Sequence, residues 1–435
     1  MPLVMPTRVL ISTGSAVYRT SHTGTLLGQF PPRPDGAAPP PAEATRLRAE
    51  LTRHGDLVFA PLALERWLAP AREPGPADSQ DLALGGYYHC LVGLDPDTLR
   101  VLWWDGDPGP QSAPQPLAAD PEVEARLRAG HVIACTSDGA RLYVALLTKG
   151  SELSLDLFAY RTTSRVGAPV ALEPAWEGPV RVVQVERGGS EDQAVRPEVA
   201  ARLVVDGCGR LIVTTDVGVV ACAAAASGDL EWVVEREAEA DETEFRRWGM
   251  RKEAPTPAPP VSAVIVPDPE RAEQGGIAVA YAGPALLGIR LRDGTPLWSY
   301  PRGKPPSRLE FLLPGEGSGV LAYGANLAVG LDATTGRNLH PQGRPLNLGR
   351  FRFCGEGAPV AGGYVLPVRH QNGGGLSLHR LAWRRLPAGG RSVLFDGSHR
   401  LPLDQPANLV VEGDHVVAVG ATRLIVVSFA GAGGD

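Results

Sequence analysis

The sequence predicts an all-β fold, a β-propeller of seven or eight four-stranded blades with eight favoured, as one domain over residues 1–435. Three observations predict it: a pattern recurs along the chain, its copies are apolar runs of strand length, and 52 glycines and 41 prolines are dispersed between the runs. Short runs rich in Val, Ile, Leu and Ala between turn residues are typical of antiparallel strands. Units of so few strands must stack to bury both faces, and radial closure protects their edges.

Each copy of the repeat contains a strand-like run, a turn, a second run, a glycine turn and a short third run. The clearest copies are Leu286–Tyr300 and Leu327–Pro341. A turn position and an aromatic position lie four residues apart in five copies, which are Gly24 and Gly28, Leu99 and Trp103, Gly228 and Trp232, Gly294 and Trp298, and Gly336 and His340. Because the tryptophans hold a fixed place in the repeat, we predict that they pack against the neighbouring sheet and do not form a stacking platform.

The recurring polar residues predict turns and no catalytic, cofactor-binding or metal-binding residue. Asp95, Asp293 and Asp332 precede the turn at positions that we take as equivalent, where a carboxylate oxygen accepts backbone N–H groups. The nine histidines show no HxH or HExxH spacing, and neither GxxxxGK[ST] nor GxSxG is present.

The chain ends and several insertions complete the predicted architecture. The last strand-rich segment, Asn408–Phe429, holds about three strands, so we expect N-terminal residues 2–5 or 8–12 to supply the fourth and close the propeller. Inter-repeat insertions are predicted at about residues 31–55, 62–84, 110–130 and 238–260. Helices are predicted within two of them, at Ala42–Arg53 and Asp120–Ala129.

Composition excludes two classes of partner and indicates a compartment. A net charge of -6 is unlike that of nucleic-acid binders, and no run reaches the ~18 apolar residues of a membrane span. Five cysteines, odd in number and far apart, suggest neither a disulfide framework nor a zinc site. Met1–Ile11 does not resemble a signal peptide, so we expect a cytoplasmic protein.

The repeats carry a family resemblance. The segments GLDPDTLRVLW, ACAAAASGDLEW, GIRLRDGTPLW and GLDATTGRNL resemble the Ala-Leu-Asp-x-x-Thr-Gly-x-x-x-Trp repeat of quinoprotein-like propellers, which are PQQ-like and WD40-like, over most of the chain. That family includes both enzymes and pure scaffolds. Its alcohol dehydrogenases typically hold pyrroloquinoline quinone and calcium beside a vicinal cysteine pair, which this sequence lacks. The resemblance therefore implies a member without cofactor.

Two functions follow from the resemblance. The favoured one is a non-enzymatic, bacterial protein-interaction scaffold, such as the propeller components that accompany MoxR-type ATPases and von Willebrand-domain proteins. The alternative is a propeller enzyme, either a metal-dependent lactonase or hydrolase or a quinoprotein dehydrogenase. In that case dispersed polar residues would converge in a central channel, which the sequence does not reveal.

Partner-binding residues are predicted in two insertions. In Ala238–Pro260 an acidic stretch precedes a basic one, and Phe245, Trp248 and Met250 lie among these charges. Trp67 lies among proline and charged residues in the insertion at about 62–84. A large aromatic side chain can supply most of the energy of a small interface, so these four are the candidate anchors. The other interpretation is that they fold back onto the propeller.

Overall fold

The structure is a computed structural model, and its backbone is described for most of the chain. The described residues are 3–5, 8–12, 16–21, 25–30, 50–65, 87–104, 123, 126–127, 130–149, 152–163, 170–186, 200–236, 263–267, 275–283, 285–301, 303, 308–340, 343–360, 362–370, 376–385, 391–400, 407–412, 415–420 and 424–428. They contain 33 strands and no helix long and apolar enough to cross a membrane. The predicted all-β class is confirmed.

The described strands form eight successive sheets, each built from strands that follow one another in the chain. Sheet 1 contains β1 (Leu3–Met5), β2 (Arg8–Ser12), β3 (Val17–Thr20) and β4 (Leu26–Phe30). Sheet 2 contains β5 (Thr52–His54), β6 (Leu57–Glu65), β7 (Tyr87–Leu94) and β8 (Val101–Trp104). Sheet 3 contains β9 (His131–Ser137), β10 (Leu142–Lys149), β11 (Glu152–Thr163), β12 (Ala171–Pro174) and β13 (Val180–Glu186), the last two both paired with β11. Sheet 4 contains β14 (Ala201–Val205), β15 (Arg210–Thr215), β16 (Val219–Ala224) and β17 (Leu230–Glu235).

The second half of the chain continues the same plan. Sheet 5 contains β18 (Ala263–Val266), β19 (Ile277–Ala282), β20 (Ala285–Arg290) and β21 (Pro296–Pro301). Sheet 6 contains β22 (Phe311–Pro314), β23 (Gly319–Gly324), β24 (Leu327–Asp332) and β25 (Leu346–Asn347). Sheet 7 contains β26 (Phe351–Phe353), β27 (Ala358–Val360), β28 (Gly363–His370), β29 (Leu376–Arg385) and β30 (Arg391–Arg400), with β26 and β27 both paired with β28. Sheet 8 contains β31 (Ala407–Glu412), β32 (His415–Gly420) and β33 (Leu424–Ser428).

Seven sheets thus hold four or five strands, and the last holds three among the described residues. This agrees with the predicted range of seven or eight blades. The chain divides into two compact units, one of residues 1–213 with 221–231 and the other of residues 214–220 with 232–435. Strands β15, β16 and β17 contribute residues to both units.

The period of two within each central strand explains how the sheets stack. In the first unit, Val58 and Ala60 of β6 pack in one core with sheet 1, and Leu57 and Phe59 pack in another with sheet 3. In the second unit, β23 divides its residues in the same way between sheets 5 and 7. Alternate residues of a strand point to opposite faces, so a strand that is apolar at every position buries both.

Among the described residues, the N-terminal strands belong to sheet 1, although one of them was expected to complete the last sheet. β1 pairs with β2, with Leu3 opposite Leu10 and Met5 opposite Arg8, and both belong to sheet 1. Only two residues separate these strands, so closing this hairpin costs less chain entropy than pairing the two ends of the chain.

Two predicted insertions begin or end too far into strands. The helix predicted at Ala42–Arg53 overlaps β5, where Thr52 and His54 are buried and Arg53 is exposed, a period of two. The insertion at 31–55 therefore extends too far, and the one at 62–84 starts too early because β6 continues to Glu65. The helix predicted at Asp120–Ala129 agrees with its described residues, since Val123 and Leu127 are helical and fully buried.

The turn before the last strand has one geometry in four sheets. The N–H of its fifth residue donates to the carbonyl of its first, from Leu99 to Asp95 (2.8 Å), Gly228 to Ala224 (2.8 Å), Gly294 to Arg290 (3.0 Å) and Gly336 to Asp332 (2.8 Å). The fifth residue is left-handed in every case, with φ of 57°, 83°, 70° and 68° in the same order. Glycine adopts that conformation without steric cost, which is why the repeat carries glycine at this position in all but one copy.

Candidate functional site

The four predicted anchors, Phe245, Trp248, Met250 and Trp67, lie outside the described residues. Their role in partner binding stays a prediction. The site must therefore be sought among the polar and aromatic side chains of the sheets and their turns.

The repeat tryptophans pack on the turn of the following sheet, as predicted. Nε1 of Trp232 donates to the carbonyl of Leu291 (2.9 Å) and Nε1 of Trp298 to that of Ala333 (2.6 Å), and Trp176 after sheet 3 makes the same bond to Ala225 (3.1 Å). Nε1 of Trp103 has no such acceptor among the described residues. A Cβ atom added to the turn glycine would lie 2.8 Å from the Trp176 ring at Gly228, and 2.7 Å from the Trp232 ring at Gly294 and from the Trp298 ring at Gly336. Trp103 is fully buried against Phe59. These rings are packing elements and offer no stacking face to a ligand.

The recurring aspartates form turns, but not all at one position. Asp95 and Asp332 occupy the first position of the turn, and Oδ1 of each accepts two backbone N–H groups. Burial alone would raise the pKa of both carboxyls, but hydrogen bonds outweigh it and lower the pKa. At Asp95 they come mainly from backbone N–H groups, and at Asp332 mainly from the hydroxyls of Thr334 and Ser318. Asp293 was placed wrongly: it is the fourth residue of its turn, where Oδ1 accepts from the N–H of Thr295, and Arg290 holds the first position.

One polar network of the first unit joins the first strands of sheets 2 and 3, which are β5 and β9. The Thr52 hydroxyl donates to the carbonyl of Cys135 at 2.9 Å, and Nδ1 of His54 lies 2.8 Å from Oγ of Ser137. Both contacts are one strand period apart, so they form two rungs of a side-chain ladder between sheets 2 and 3. We call these four residues the β5–β9 seam. Burial raises the pKa of the Cys135 thiol to about 12, which leaves it a neutral packing group.

Asp138 lies directly after the seam and is saturated with donors. Its Oδ2 accepts from the Tyr143 hydroxyl at 2.7 Å and from Nη1 of Arg141 at 3.3 Å, and its Oδ1 accepts two backbone N–H groups. Burial alone would raise the pKa of Asp138, but these hydrogen bonds lower it. The Tyr143 hydroxyl also contacts the carbonyl of Ala225, so the network ends on sheet 4.

The contact between Ser137 and His54 resembles the nucleophile and base of a hydrolase, and its surroundings do not complete that arrangement. Burial lowers the pKa of His54, and the charge of Asp138 opposes only part of the shift. Oγ of Ser137 already accepts the Gly139 N–H at 2.9 Å. A hydrolase needs an acid that orients the base, and the oxygens of Asp138 are used by other donors. His54 is 3% exposed, which leaves little access for a substrate.

Two further buried carboxylates are also held by neighbouring side chains. Asp156 accepts from Nε of Arg181 at 2.9 Å and from the Ser154 hydroxyl at 3.0 Å. Asp206 accepts the N–H groups of Cys208 and Arg210. Asp156 is thus held in an ion pair, and Oδ2 of Asp206 lies 3.8 Å from Nη1 of Arg210, so both carboxylates are neutralised by an arginine of their own sheet.

A calcium ion, which dehydrogenases of the resembled family hold, takes six to eight oxygen ligands. The part of the chain that the structure describes contains no group of three or more His, Cys, Asp or Glu side chains placed to hold a metal ion. The described residues therefore do not fit such an ion.

Comparison with known sequences identifies the family. The sequence model of a PQQ-like family, described as outer membrane protein assembly factor BamB, matches residues 175–399, which is just over half of the chain. The chain belongs to this PQQ-like family. No curated protein sequence matches it.

Solved structures agree on the fold. BamB from Moraxella catarrhalis has a TM-score of 0.50 at 11% identity, covering 100% of this chain and 95% of that one. The computationally designed Ika8 protein has a TM-score of 0.50 at 10% identity, covering 98% and 95%. A europium-containing methanol dehydrogenase has a TM-score of 0.50 at 10% identity, covering 96% and 81%. At such identities the likeness shows the fold alone, and the predicted PQQ-like β-propeller is confirmed.

Sequence reasoning missed the β5–β9 seam. His54 and Ser137 are 83 residues apart, so no local spacing joins them. The available signal was positional. Both residues stand immediately before the hairpin that follows the first strand of their sheets, in His-Gly-Asp and Ser-Asp-Gly. Equivalent positions of successive repeats become neighbours when the repeats stack.

Proposed function

We propose that this chain is a non-enzymatic scaffold that holds a protein partner. The observation that carries the proposal is that the recurring polar side chains form hydrogen bonds with their own turns. Asp95 and Asp332 bind their own turns, and Asp138 binds its own hairpin together with Tyr143. When the recurring polar side chains form hydrogen bonds within their own turns, the sheets serve as a rigid support that presents loops to a partner.

The family supports an assembly role. The family is described as an outer membrane protein assembly factor, and BamB from Moraxella catarrhalis is among the similar structures. We propose a bacterial multiprotein system of the MoxR ATPase and von Willebrand-domain type as the setting. We propose the cytoplasm as the compartment, because all five cysteines are free thiols and Cys208 is exposed.

The insertion at about 238–260 is the proposed docking element, with Phe245, Trp248 and Met250 as anchors and Trp67 as a second anchor. Trp248→Ala tests it in the full chain, with recovery of partner from the native host and the melting temperature measured together. We expect recovery at least about tenfold lower and an almost unchanged melting temperature, because a central aromatic can dominate a small interface.

Trp176→Ala is the matched control for this experiment. Its ring is packed on Gly228 and hydrogen-bonded to Ala225, so its loss should lower the melting temperature. A Trp248→Ala variant that melts early and still recovers partner would show that Trp248 packs on the propeller, and would remove this insertion from the proposal.

A propeller hydrolase is the second candidate, favoured by the contact of 2.8 Å between His54 and Ser137. A fluorophosphonate probe tests it, since such a probe labels only an activated serine. The scaffold proposal expects no label on the wild-type protein. A label that disappears in Ser137→Ala would contradict it and make Ser137 the nucleophile.

A further inference from the structure

One stretch of the second unit has a charge opposite to that of the whole chain. Between residues 333 and 395 the only acidic residue is Glu356, whereas the chain as a whole has a net charge of -6. The same stretch contains nine arginines, which are Arg337, Arg344, Arg350, Arg352, Arg369, Arg380, Arg384, Arg385 and Arg391. Its formal charge is therefore +8, and most of it belongs to sheet 7.

The register of sheet 7 places two of these arginines directly opposite each other. Arg352 of β26 pairs with Arg369 of β28. The N–H of Cys354 donates to the carbonyl of Pro367 at 3.1 Å, and the alternation of the ladder makes Arg352 and Arg369 a hydrogen-bonded pair as well. Their Cα atoms are then about 5.5 Å apart, with both side chains on one face.

Two like charges across neighbouring strands destabilise a sheet unless an opposite charge lies between them. Arg352 is exposed and Arg369 is half-buried. Within the described part of the chain, neither guanidinium has an ion pair or a hydrogen-bond acceptor. Glu356 is itself buried, and the residue opposite Arg369 on β29 is the fully buried Leu376. Arg350, also exposed, adds a third cation two residues before Arg352.

We propose that Arg352 and Arg369 form a docking surface for an acidic segment of a protein partner. Two adjacent guanidinium forks match the geometry of carboxylates, which each can bind through paired N–H groups. A short glutamate- or aspartate-rich segment fits better than a nucleic acid, because a nucleic acid would extend beyond these arginines over a chain whose net charge is -6. The inference rests on the proposed scaffold function for the kind of partner, but not on the insertion at about 238–260.

The experiment measures binding of a fluorescent oligoglutamate peptide to the full chain by anisotropy. The test variant is Arg352→Ser with Arg369→Ser, and the control is Arg292→Ser with Arg337→Ser, which removes two exposed turn arginines and the same charge. We expect affinity to fall at least about tenfold in the test variant and less than about twofold in the control, because paired charge-assisted bonds are lost only in the first. Added salt should weaken binding to the wild type.

Several outcomes decide the inference. Equal losses in the test and control variants would overturn it, because binding would then follow net charge alone. Tighter binding of a single-stranded oligonucleotide, of anionic vesicles or of inorganic phosphate would also overturn it. The melting temperature of the test variant should not fall, since a like-charge pair is removed. If the double variant does not fold, Arg352→Gln alone, at an exposed position, must still lower the affinity for the oligoglutamate peptide.

The experiments distinguish a failure of the arginine surface from a failure of the proposed docking insertion at about 238–260. Trp248→Ala should bind oligoglutamate like the wild type. Should Trp248→Ala leave partner recovery intact while the arginine variant loses the peptide, the insertion would be excluded and the arginine surface retained.

Discussion

Two contacts between successive sheets, one in each unit, differ in which sheet supplies the large side chain. It comes from the last strand of the earlier sheet in one contact and from the turn of the later sheet in the other. In the second unit, Trp298 at the end of sheet 5 packs on Gly336 in the turn of sheet 6. In the first unit, the equivalent strand position is Gly28, and the turn position is Leu99. The register supports the equivalence, because Gly28 lies opposite Arg19 beside a β-bulge, as Trp298 lies opposite Gly288 beside one.

The contact therefore requires one large residue and one glycine, and either of the two sheets can supply the large residue. A Cβ atom on Gly28 would lie 3.8 Å from Cδ1 of Leu99, so the leucine fills the space that an indole fills elsewhere. Leu99 adopts φ of 57° at a cost of about 1–2 kcal/mol, and burying its side chain offsets this by about 1.5–3 kcal/mol. The spacing of four residues between glycine and tryptophan thus reflects a steric requirement, because the large residue of one sheet needs a glycine opposite it on the next.

The largest expected effect comes from breaking the regular contact. Gly336→Ala should lower the free energy of unfolding by about 2–5 kcal/mol, because it adds left-handed strain to a collision with the Trp298 ring. Gly349→Ala is the matched control, since Gly349 has a φ of 62° and nothing within 4 Å of its would-be Cβ. It should cost only about 1–2 kcal/mol. Chemical denaturation measures both, and equal losses would show that Trp298 yields to the added methyl group.

A double-mutant cycle tests the contact between Gly28 and Leu99, and its expected effect is intermediate in size. Gly28→Trp should collide with Leu99, and Leu99→Gly should leave a cavity, each costing about 1–3 kcal/mol. The double variant restores the usual order of residues and should be more stable than the sum of the single changes predicts, by at least about 1 kcal/mol.

A second cycle controls the first. It combines Gly28→Trp with Leu142→Ala, because Leu142 is a fully buried residue of the other core of sheet 2. These changes should add within about 0.5 kcal/mol. Equal coupling in both cycles would mean that the two positions do not share a contact.

The repeat made most of the fold predictable from sequence. A spacing of four residues located the left-handed turn residue in four sheets, including Leu99, where no glycine marks it. The same spacing predicted where Trp232 and Trp298 pack. The repeat gave a wrong position for Asp293. Asp293 precedes Gly294 as Thr335 precedes Gly336, so it is the fourth residue of its turn and not the first. The repeat also gave no boundary for β5, whose three residues are too short for a period to be counted.

The sites were far less predictable, for a physical reason. His54 meets Ser137 and Arg352 meets Arg369 through register and stacking, which single-sequence patterns do not specify. The basic stretch at 333–395 is visible in the charge pattern, but its nine arginines are spread over 63 residues and form no compact motif. Phe245, Trp248, Met250 and Trp67 stay predictions.

The smallest expected effect comes from pH, and it separates the steric contacts from the polar seam. Gly28, Leu99, Trp298 and Gly336 do not titrate, so their contacts contribute equally at every pH. His54 does titrate, and burial holds its pKa below the value of 6.5 expected for the unfolded chain. The unfolded chain then binds more protons, so this contribution to stability is complete above about pH 6.5 and is lost as the pH falls toward the folded pKa.

His54→Asn tests this, because an amide can keep the contact with Ser137 and cannot be protonated in this range. Unfolding free energies measured from pH 7 to pH 5 should fall more steeply for the wild type than for this variant. His379, whose pKa burial also lowers, contributes to both proteins alike and cancels in the difference. Parallel curves would show that the contact between His54 and Ser137 survives protonation, as it would if Nδ1 donated its new proton to Oγ. Sheets 2 and 3 would then be joined at the β5–β9 seam as independently of pH as sheets 5 and 6 are joined at the tryptophan contact and sheets 1 and 2 at the leucine contact.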